Sequence, residues 1–228
     1  MKIVSIIPAR GGSKGIPMKN LRVLNGKPLL DYSVNASINS KLIDMTIVSS
    51  DNQRILHRAK RLGVRTIKRP KKISTDAASI EDVIMHCLQQ IKKENNYTPD
   101  VIILLQNTVP LRTTKHIDDA IRFFVKRRYD SVLSGFNSHQ FFWKREKNRA
   151  IPINYNPRRR PNRQQFKDQF IENGAIYITK YSSFIKTKCR VSGRIGLYEM
   201  PSEMSIDIDI ESDLTKANQI MRKNNKIT

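Results

Sequence analysis

Apolar positions along this chain fall into two alternating spacings. Five short runs, Ile3–Ile7, Met45–Ser50, Val64–Ile67, Val101–Gln106 and Ser131–Gly135, are dense in β-branched and aliphatic residues and bounded by polar or turn-forming ones, the pattern of buried strands. Between them apolar residues recur at helical spacing, as Leu29, Leu30, Val34 and Ile38 in one stretch and Val83, Ile84, Cys87, Leu88 and Ile91 in another. The stretch "NQRILHRAKRL" reads as a further helix. Strand, helix and strand repeated in this way demand parallel pairing with right-handed crossovers, which predicts an α/β fold: a Rossmann-like, mostly parallel sheet flanked by helices. In such sheets ligands bind beyond the carboxyl ends of the strands, so the loops after the first, third and fourth strands are expected to converge on one site.

The alternation breaks near Asn137. From 137 to 170 the chain brings three prolines, clustered aromatics, and nine Lys or Arg against only Glu146 and Asp168. That stretch is too long and too aromatic for an ordinary connection and reads as an inserted arm or lobe within a single domain spanning 1–228. After it, "NGAIYIT" and "SIDIDI" alternate as strands, and "ESDLTKANQIMRK" reads as a helix.

Charge adds a constraint on partners. The sequence of 228 residues carries a formal net charge of +22, which fits a nucleic-acid binder, an anionic surface or an enzyme of polyanionic substrates. The basic residues are spread through helices and loops, as a solvated lysine-rich surface also requires. A helix-turn-helix, an RNP sequence and zinc-ligand spacing are all missing from the basic run "NPRRRPNRQQF", which argues against a nucleic-acid partner. No stretch of about 18 apolar residues occurs, and the first apolar run lacks the flanks of a signal peptide, so the expectation is a soluble cytoplasmic protein without a membrane partner. Cys87 and Cys189 lack CxxC spacing and are expected to be reduced thiols, not nucleophiles. The four histidines, His57, His86, His116 and His139, are scattered without metal-ligand spacing.

The richest chemistry follows the first strand. In "PARGGSKGIPMKN" the glycines let backbone N–H groups approach an anion while Arg10, Lys14 and Lys19 supply full charge, a combination suited to a triphosphate. The loop is neither a Walker A sequence nor a GxGxxG dinucleotide fingerprint. Near the chain's end Asp207 and Asp209 alternate with Ile206, Ile208 and Ile210. On one face of a strand, the two carboxylates suit a hard cation held beside phosphate; an exposed polar strand face is the equal alternative on pattern alone.

These motifs together resemble the CMP-N-acylneuraminate synthetase family, the cytidylyltransferases that activate nine-carbon acidic sugars. The family pattern ARxGSKGxPxKN is matched at Ala9, Arg10, Gly12, Ser13, Lys14, Gly15, Pro17, Lys19 and Asn20. "LLQNTVPLR" resembles LLQPTSPLR, "ENGAIYI" resembles its NGAIYI strand, and "IDIDIESDL" resembles IDIDxxxDL. The resemblance implies a nucleotidyltransferase version of the fold and attack of the sugar's anomeric hydroxyl on the α-phosphorus of CTP. It implies nucleotide binding by Ala9, Arg10, Gly12, Ser13, Lys14, Asn20, Arg69 and Ser79, with Arg10, Lys14, Lys19 and Asp209 catalytic. Ser79 also fits a helix N-cap before Ile80. Gln106, Thr108, Lys144, Arg163, Asn173, Gly174 and Ala175 would contact the acidic sugar, and Asp207 and Asp209 would hold Mg2+, with Mn2+ as the other hard cation of that kind. The arm would build a homodimer and help close the sugar site, with Phe141, Phe142 and Trp143 either at the subunit contact or lining that site. Asn107 and Val109 stand where the family has proline and serine, so the departures fall beside the sugar contacts. N-acetylneuraminate, legionaminate and pseudaminate are the expected alternatives for the sugar, and another sugar or nucleotide on the same scaffold is the nearest rival.

Overall fold

The computed structural model describes residues 1–165 and 169–224. In chain order its elements are β1 (Ile3–Pro8), a small hairpin of β2 (Val23–Leu24) and β3 (Lys27–Pro28), α1 (Leu29–Ile38), β4 (Met45–Ser50), α2 (Gln53–Arg61) and β5 (Arg65–Lys68). There follow α3 (Ile80–Asn95), β6 (Val101–Leu104), α4 (Thr114–Arg127), β7 (Ser131–Asn137), β8 (Trp143–Glu146), β9 (Arg149–Pro152), β10 (Phe170–Lys180), α5 (Tyr181–Thr187), β11 (Ile195–Glu199) and α6 (Glu211–Asn224). Seven strands form one sheet in the order β11-β7-β10-β6-β1-β4-β5. Neighbours are parallel except β10, which runs antiparallel to both β6 and β7.

The period-two pattern of β1 explains the layering. Ile3 and Ile7 face a cluster with Leu30, Val34, Ile55 and Phe124, from α1, α2 and α4. Val4 and Ile6 face the opposite cluster, with Val83, Ile84, Cys87 and Phe184 from α3 and α5. Burial on both faces is why the strand reads as a continuous apolar run. A third cluster joins Ile16 in the loop after β1 to Ile208, Leu24, Leu29, Leu214 and Ala217. Full burial of an aliphatic side chain is worth about 1.5–3 kcal/mol, so Ile16 and Ile208 hold the two segments that flank the site against α6.

Several element boundaries differ from the sequence expectation for local reasons. The fourth expected strand stops at Leu104, and beyond it the Val109 N–H donates to the Gln106 carbonyl at 3.4 Å in a turn over the carboxyl end of the sheet. β7 runs on to Asn137 because Asn137 pairs with Phe170 of β10, a partner far along the sequence. The expected "SIDIDI" strand does not form: residues 205–209 pair with no strand, and the Ile208 N–H donates instead to the Thr108 carbonyl at 2.8 Å. Asp207 and Asp209 therefore sit on an irregular connection, with Ile208 buried and Ile210 exposed, rather than on a strand face. Between β7 and β10 the arm carries its own two-stranded sheet, β8 paired with β9.

Candidate active site

The antiparallel β10 places the start of the returning chain at the same end of the sheet as the loops leaving β1, β5 and β6. A cleft of about 550 Å3 opens there, lined by Arg10, Ser13, Lys14, Gly15, Lys19, Asn20, Arg69, Gln106, Asn107, Thr108, Asp207 and Asp209 among others. A second cavity of about 420 Å3 lies beside it, walled by Phe136, Ile171, Glu172, Asn173, Gly174, Tyr177 and Ser205. Gln106 and Asp207 line both.

The loop after β1 is built from inside outward. Ala9 is fully buried, its N–H donating to the Ser49 carbonyl at 2.9 Å, so it anchors the loop from beneath the cleft. Asn20 donates from Nδ2 to the Arg10 carbonyl at 2.8 Å and closes the loop on itself. Gly15 leaves no room for a side chain, since a Cβ there would lie 2.1 Å from the Asp209 carbonyl oxygen. Lys19 is nearly buried and donates to the Ile208 carbonyl at 2.6 Å and to Asp209 Oδ1 at 2.9 Å. Arg10 and Lys14 both pair with Asp76, Lys14 at 2.8 Å, in the loop between β5 and α3. Lys14 and Arg10 hold the Asp76 carboxyl below the usual carboxylate range. Gly12 lies on the outer side of this loop, in a small recess with Ser13, Ser74 and Asp76.

Arg69 is 6% exposed, and its Nη2 donates to the Ser49 carbonyl at 2.8 Å. Burial pushes its guanidinium down, as does the nearby Arg10, while Asp51 opposes the shift. Ser79 caps α3, its Oγ accepting from the Asp82 N–H at 3.1 Å, and Ile80 rather than Ser79 lines the cleft. On the other side burial raises the Asp207 carboxyl; the Thr108 hydroxyl opposes that shift and the Asp209 carboxylate adds to it. Two carboxylates under mutual repulsion, next to Lys19, form a donor set suited to a hard cation. Among the described residues no group of three His, Cys, Asp or Glu is assembled for a metal, so the remaining ligands of such a cation would come from phosphate and water.

The second cavity depends on close backbone approach. Gly174 has φ +69°, and a Cβ there would lie 2.2 Å from Gln106 Oε1. Asn173 is spent on structure: its Oδ1 accepts from Ser134 Oγ at 2.6 Å and its Nδ2 donates to Ser205 Oγ at 2.8 Å. Ala175 is fully buried, and its carbonyl accepts from Arg112 at 2.9 Å. Arg112 also donates to the Gln106 carbonyl at 3.2 Å and to Ser33 Oγ at 2.6 Å, with no carboxylate partner among the described residues. Burial pushes its guanidinium down to about 9, so at neutral pH it remains a cation locked behind the site. Lys144 lies on β8, paired with Glu146, and Arg163 lies in an exposed turn of the arm; neither lines the two cavities of its own chain. Phe141 packs on Tyr155 with ring centroids 4.3 Å apart, while Phe142 and Trp143 stay exposed.

Asp76, Arg112, Glu172 and Tyr177 escaped the sequence reading. Arg112, Glu172 and Tyr177 sit in motifs quoted above, but what they do depends on partners 5 to 79 residues away, from the Tyr177 hydroxyl bonded to Glu172 to the Arg112 guanidinium bonded to Ser33; Asp76, between β5 and α3, meets Arg10 from 66 residues away. Cys87 is buried and pushed up to about 11, an inert thiol, and His116 serves a helix capping box with Thr113.

Residues 4–227 match the sequence profile of the family described as cytidylyltransferase. The chain belongs to that family. N-acylneuraminate cytidylyltransferase A of Danio rerio is 36% identical to it over 221 residues, which cover 95% of this chain and 50% of that protein. An N-acylneuraminate cytidylyltransferase of Streptococcus agalactiae serotype III (strain NEM316) is 30% identical over 219 residues, 93% of this chain and 52% of that protein. The chain thus spans about half the length of the curated relatives it matches. A solved CMP:2-keto-3-deoxy-manno-octonic acid synthetase complexed with CTP superimposes with a TM-score of 0.69 at 18% identity, over 98% of this chain and 100% of that one. A 4-diphosphocytidyl-2C-methyl-D-erythritol synthase superimposes with a TM-score of 0.71 at 8% identity, over 96% of this chain and 99% of that one. At such identities the likeness speaks for the fold alone. No helix among the described residues is long and apolar enough to cross a membrane.

Proposed function

We propose that this cytidylyltransferase transfers the cytidylyl group of CTP to the anomeric hydroxyl of a nine-carbon acidic sugar of the N-acylneuraminate type, releasing pyrophosphate. The observation that carries the reading is the pair of adjoining cavities that share Gln106 and Asp207, one walled by the basic glycine-rich loop and the other by the start of β10. A triphosphate in the larger and a sugar in the smaller meet at that shared wall. The bond formed joins the anomeric oxygen to the α-phosphorus; the bond broken joins that phosphorus to the bridging oxygen of the leaving pyrophosphate, and the hydroxyl proton passes to solvent.

Such a displacement needs alignment and charge neutralisation more than covalent help. Arg10, Ser13 and Lys14 hold the phosphates once Asp76 gives way, and Lys19 faces the α-phosphate from its seat on Asp209. Arg69 donates to the pyrimidine carbonyl. Asp207 and Asp209 would hold Mg2+, or Mn2+. Such an ion, when bound, neutralises phosphate charge and acidifies the attacking hydroxyl. Gln106 and the Asn173–Gly174 backbone orient the sugar; Thr108 lines the larger cleft and Ala175 is fully buried, so neither is given a sugar contact.

Among the described residues, the smaller cavity is walled by Glu172 and Asp207 and by no basic side chain. We read the arm as the source of the missing cation: in a homodimer, Lys144 and Arg163 of a second copy would face the sugar carboxylate, with the exposed Phe142 and Trp143 covered by the contact.

The test is pyrophosphate release with Mg2+, using CTP, UTP, ATP and GTP against N-acetylneuraminate, legionaminate, pseudaminate and Kdo. Release with CTP and one of the nine-carbon acids is the expected result. Release with Kdo alone, or with another nucleotide alone, would replace the proposed substrates, and silence across the panel would remove the activity.

A further inference from the structure

One polar atom at the wall of the larger cleft has no partner among the described residues. Asn107 is 2% exposed and lines that cleft, and its Oδ1 is buried without accepting a hydrogen bond. The identity of the atom follows from its neighbours. The Arg10 carbonyl accepts from Asn20 Nδ2 at 2.8 Å, and Asn20 Oδ1 accepts from Asn107 Nδ2 at 2.7 Å. A carbonyl only accepts, so the Arg10 oxygen sets which end of the Asn20 amide is nitrogen, and Asn20 sets Asn107 in turn. The relay therefore ends on a bare acceptor. A buried acceptor without a donor carries its full desolvation penalty, which a ligand that brings a donor removes. The proline of the related LLQPTSPLR motif has no such atom, so the acceptor is a property of this chain.

We propose that Asn107 Oδ1 accepts a hydrogen bond from a ribose hydroxyl of the bound nucleotide. The inference rests on the cytidylyltransferase reading above. A triphosphate offers acceptors but no donors at neutral pH, and Asn107 does not line the smaller cavity, which leaves the nucleoside. Arg69 follows β5 and takes the base, whereas Asn107 follows β6, with β4 and β1 between them in the sheet. With two strands between the base wall and Asn107, the ribose, which joins the base to the phosphates, is the donor assigned to it. Because the oxygen is closed to solvent in the free protein, the proposed contact requires the Gln106–Thr108 turn to shift when the nucleotide binds.

The experiment is equilibrium binding by calorimetry, without acidic sugar, of CTP, 2′-deoxy-CTP, 3′-deoxy-CTP and UTP to the full chain and to its Asn107→Ala and Asn107→Pro variants. The unaltered protein is expected to bind one of the two deoxynucleotides about tenfold more weakly than CTP, the worth of one well-made hydrogen bond to a buried group. Both variants are expected to bind CTP about tenfold more weakly and to lose that discrimination. Asn107→Pro introduces the residue of the related motif, so a poorly folding alanine variant does not decide the matter. Equal affinity of the unaltered protein for all three cytidine nucleotides overturns the inference, as does discrimination that survives in the variants. Variants that lose only the preference for CTP over UTP assign the oxygen to the cytosine amino group and overturn it too. Absence of CTP binding by the unaltered protein removes the cytidylyltransferase reading together with the inference, whereas CTP binding without ribose discrimination removes the inference alone.

Discussion

At position 15 a methyl group has no place to go. A Cβ on Gly15 would press into the Asp209 carbonyl, a backbone atom that moves only with its whole segment, so the glycine-rich loop after β1 and the segment that carries the carboxylate pair are seated on each other through one glycine. Gly15→Ala is therefore expected to leave the sheet intact by circular dichroism while lowering turnover about a hundredfold, the cost of displacing reacting groups by about 1 Å. Turnover near that of the unaltered protein would show that the two segments work apart. Asp209 takes part in the same contact through Lys19, and its replacement by alanine frees that ammonium as well as removing a carboxylate. Asp209→Ala is expected to abolish most turnover and to change its dependence on Mg2+ concentration; an unchanged dependence in a kinetic titration would remove the metal role proposed for Asp209.

Helix α3 shows how an element serves both stability and the site. Ser79 satisfies an orphan N–H of its first turn, so Ser79→Ala is expected to cost about 1 kcal/mol in a denaturant titration. Further along, His86 has a buried Nδ1 without a partner among the described residues, and burial, then the charges of Arg69 and Lys72, hold its imidazole below the usual value. A base whose folded pKa is depressed contributes stability that is full above the unfolded value and is lost as pH falls through it. Below about pH 6.5 the unfolded chain takes up the proton first. Melting temperature is therefore expected to fall between pH 7.5 and 5.5, with a smaller fall in His86→Gln; an identical fall in both would assign the effect elsewhere, His116 being the other lowered imidazole. The turn after β6 depends on one buried guanidinium in the same way. Arg112→Met leaves the Gln106 and Ala175 carbonyls and the Ser33 hydroxyl without their donor, a loss on the order of 3 kcal/mol by thermal or urea unfolding.

For the molecule as a whole the open matter is what covers the arm. Phe142 and Trp143 are 41% and 47% exposed, beside the β8–β9 hairpin, which among the described residues pairs with no strand of the main sheet. If a second copy covers them, the double variant Phe142→Glu with Trp143→Glu is expected to sediment as a monomer while the unaltered protein sediments as a dimer. The same variant is expected to raise the KM for the acidic sugar more than that for CTP, because the nucleotide cleft is lined by one chain while the proposed sugar cations come from the other. A monomeric unaltered protein would instead leave Lys144 and Arg163 without the role proposed for them.

The sequence by itself determined the parts whose physics is local. Short continuous apolar runs marked the central strands and period-3.6 patterning the helices around them, because each element buries one or both faces along its own length. The loop from Ala9 to Asn20 declared its chemistry through glycine and charge at short spacing. Tertiary structure alone decided what those parts touch. The antiparallel insertion of β10 beside β6, the failure of "SIDIDI" to pair, the neutralisation of Arg10 and Lys14 by Asp76 and the amide relay from Arg10 through Asn20 to Asn107 all join residues tens of positions apart. An alternating stretch specifies a strand only where another strand edge is free to pair with it; the chain from 205 to 209 meets the Thr108 carbonyl and the Ile16 side chain instead, and so becomes the wall of a site.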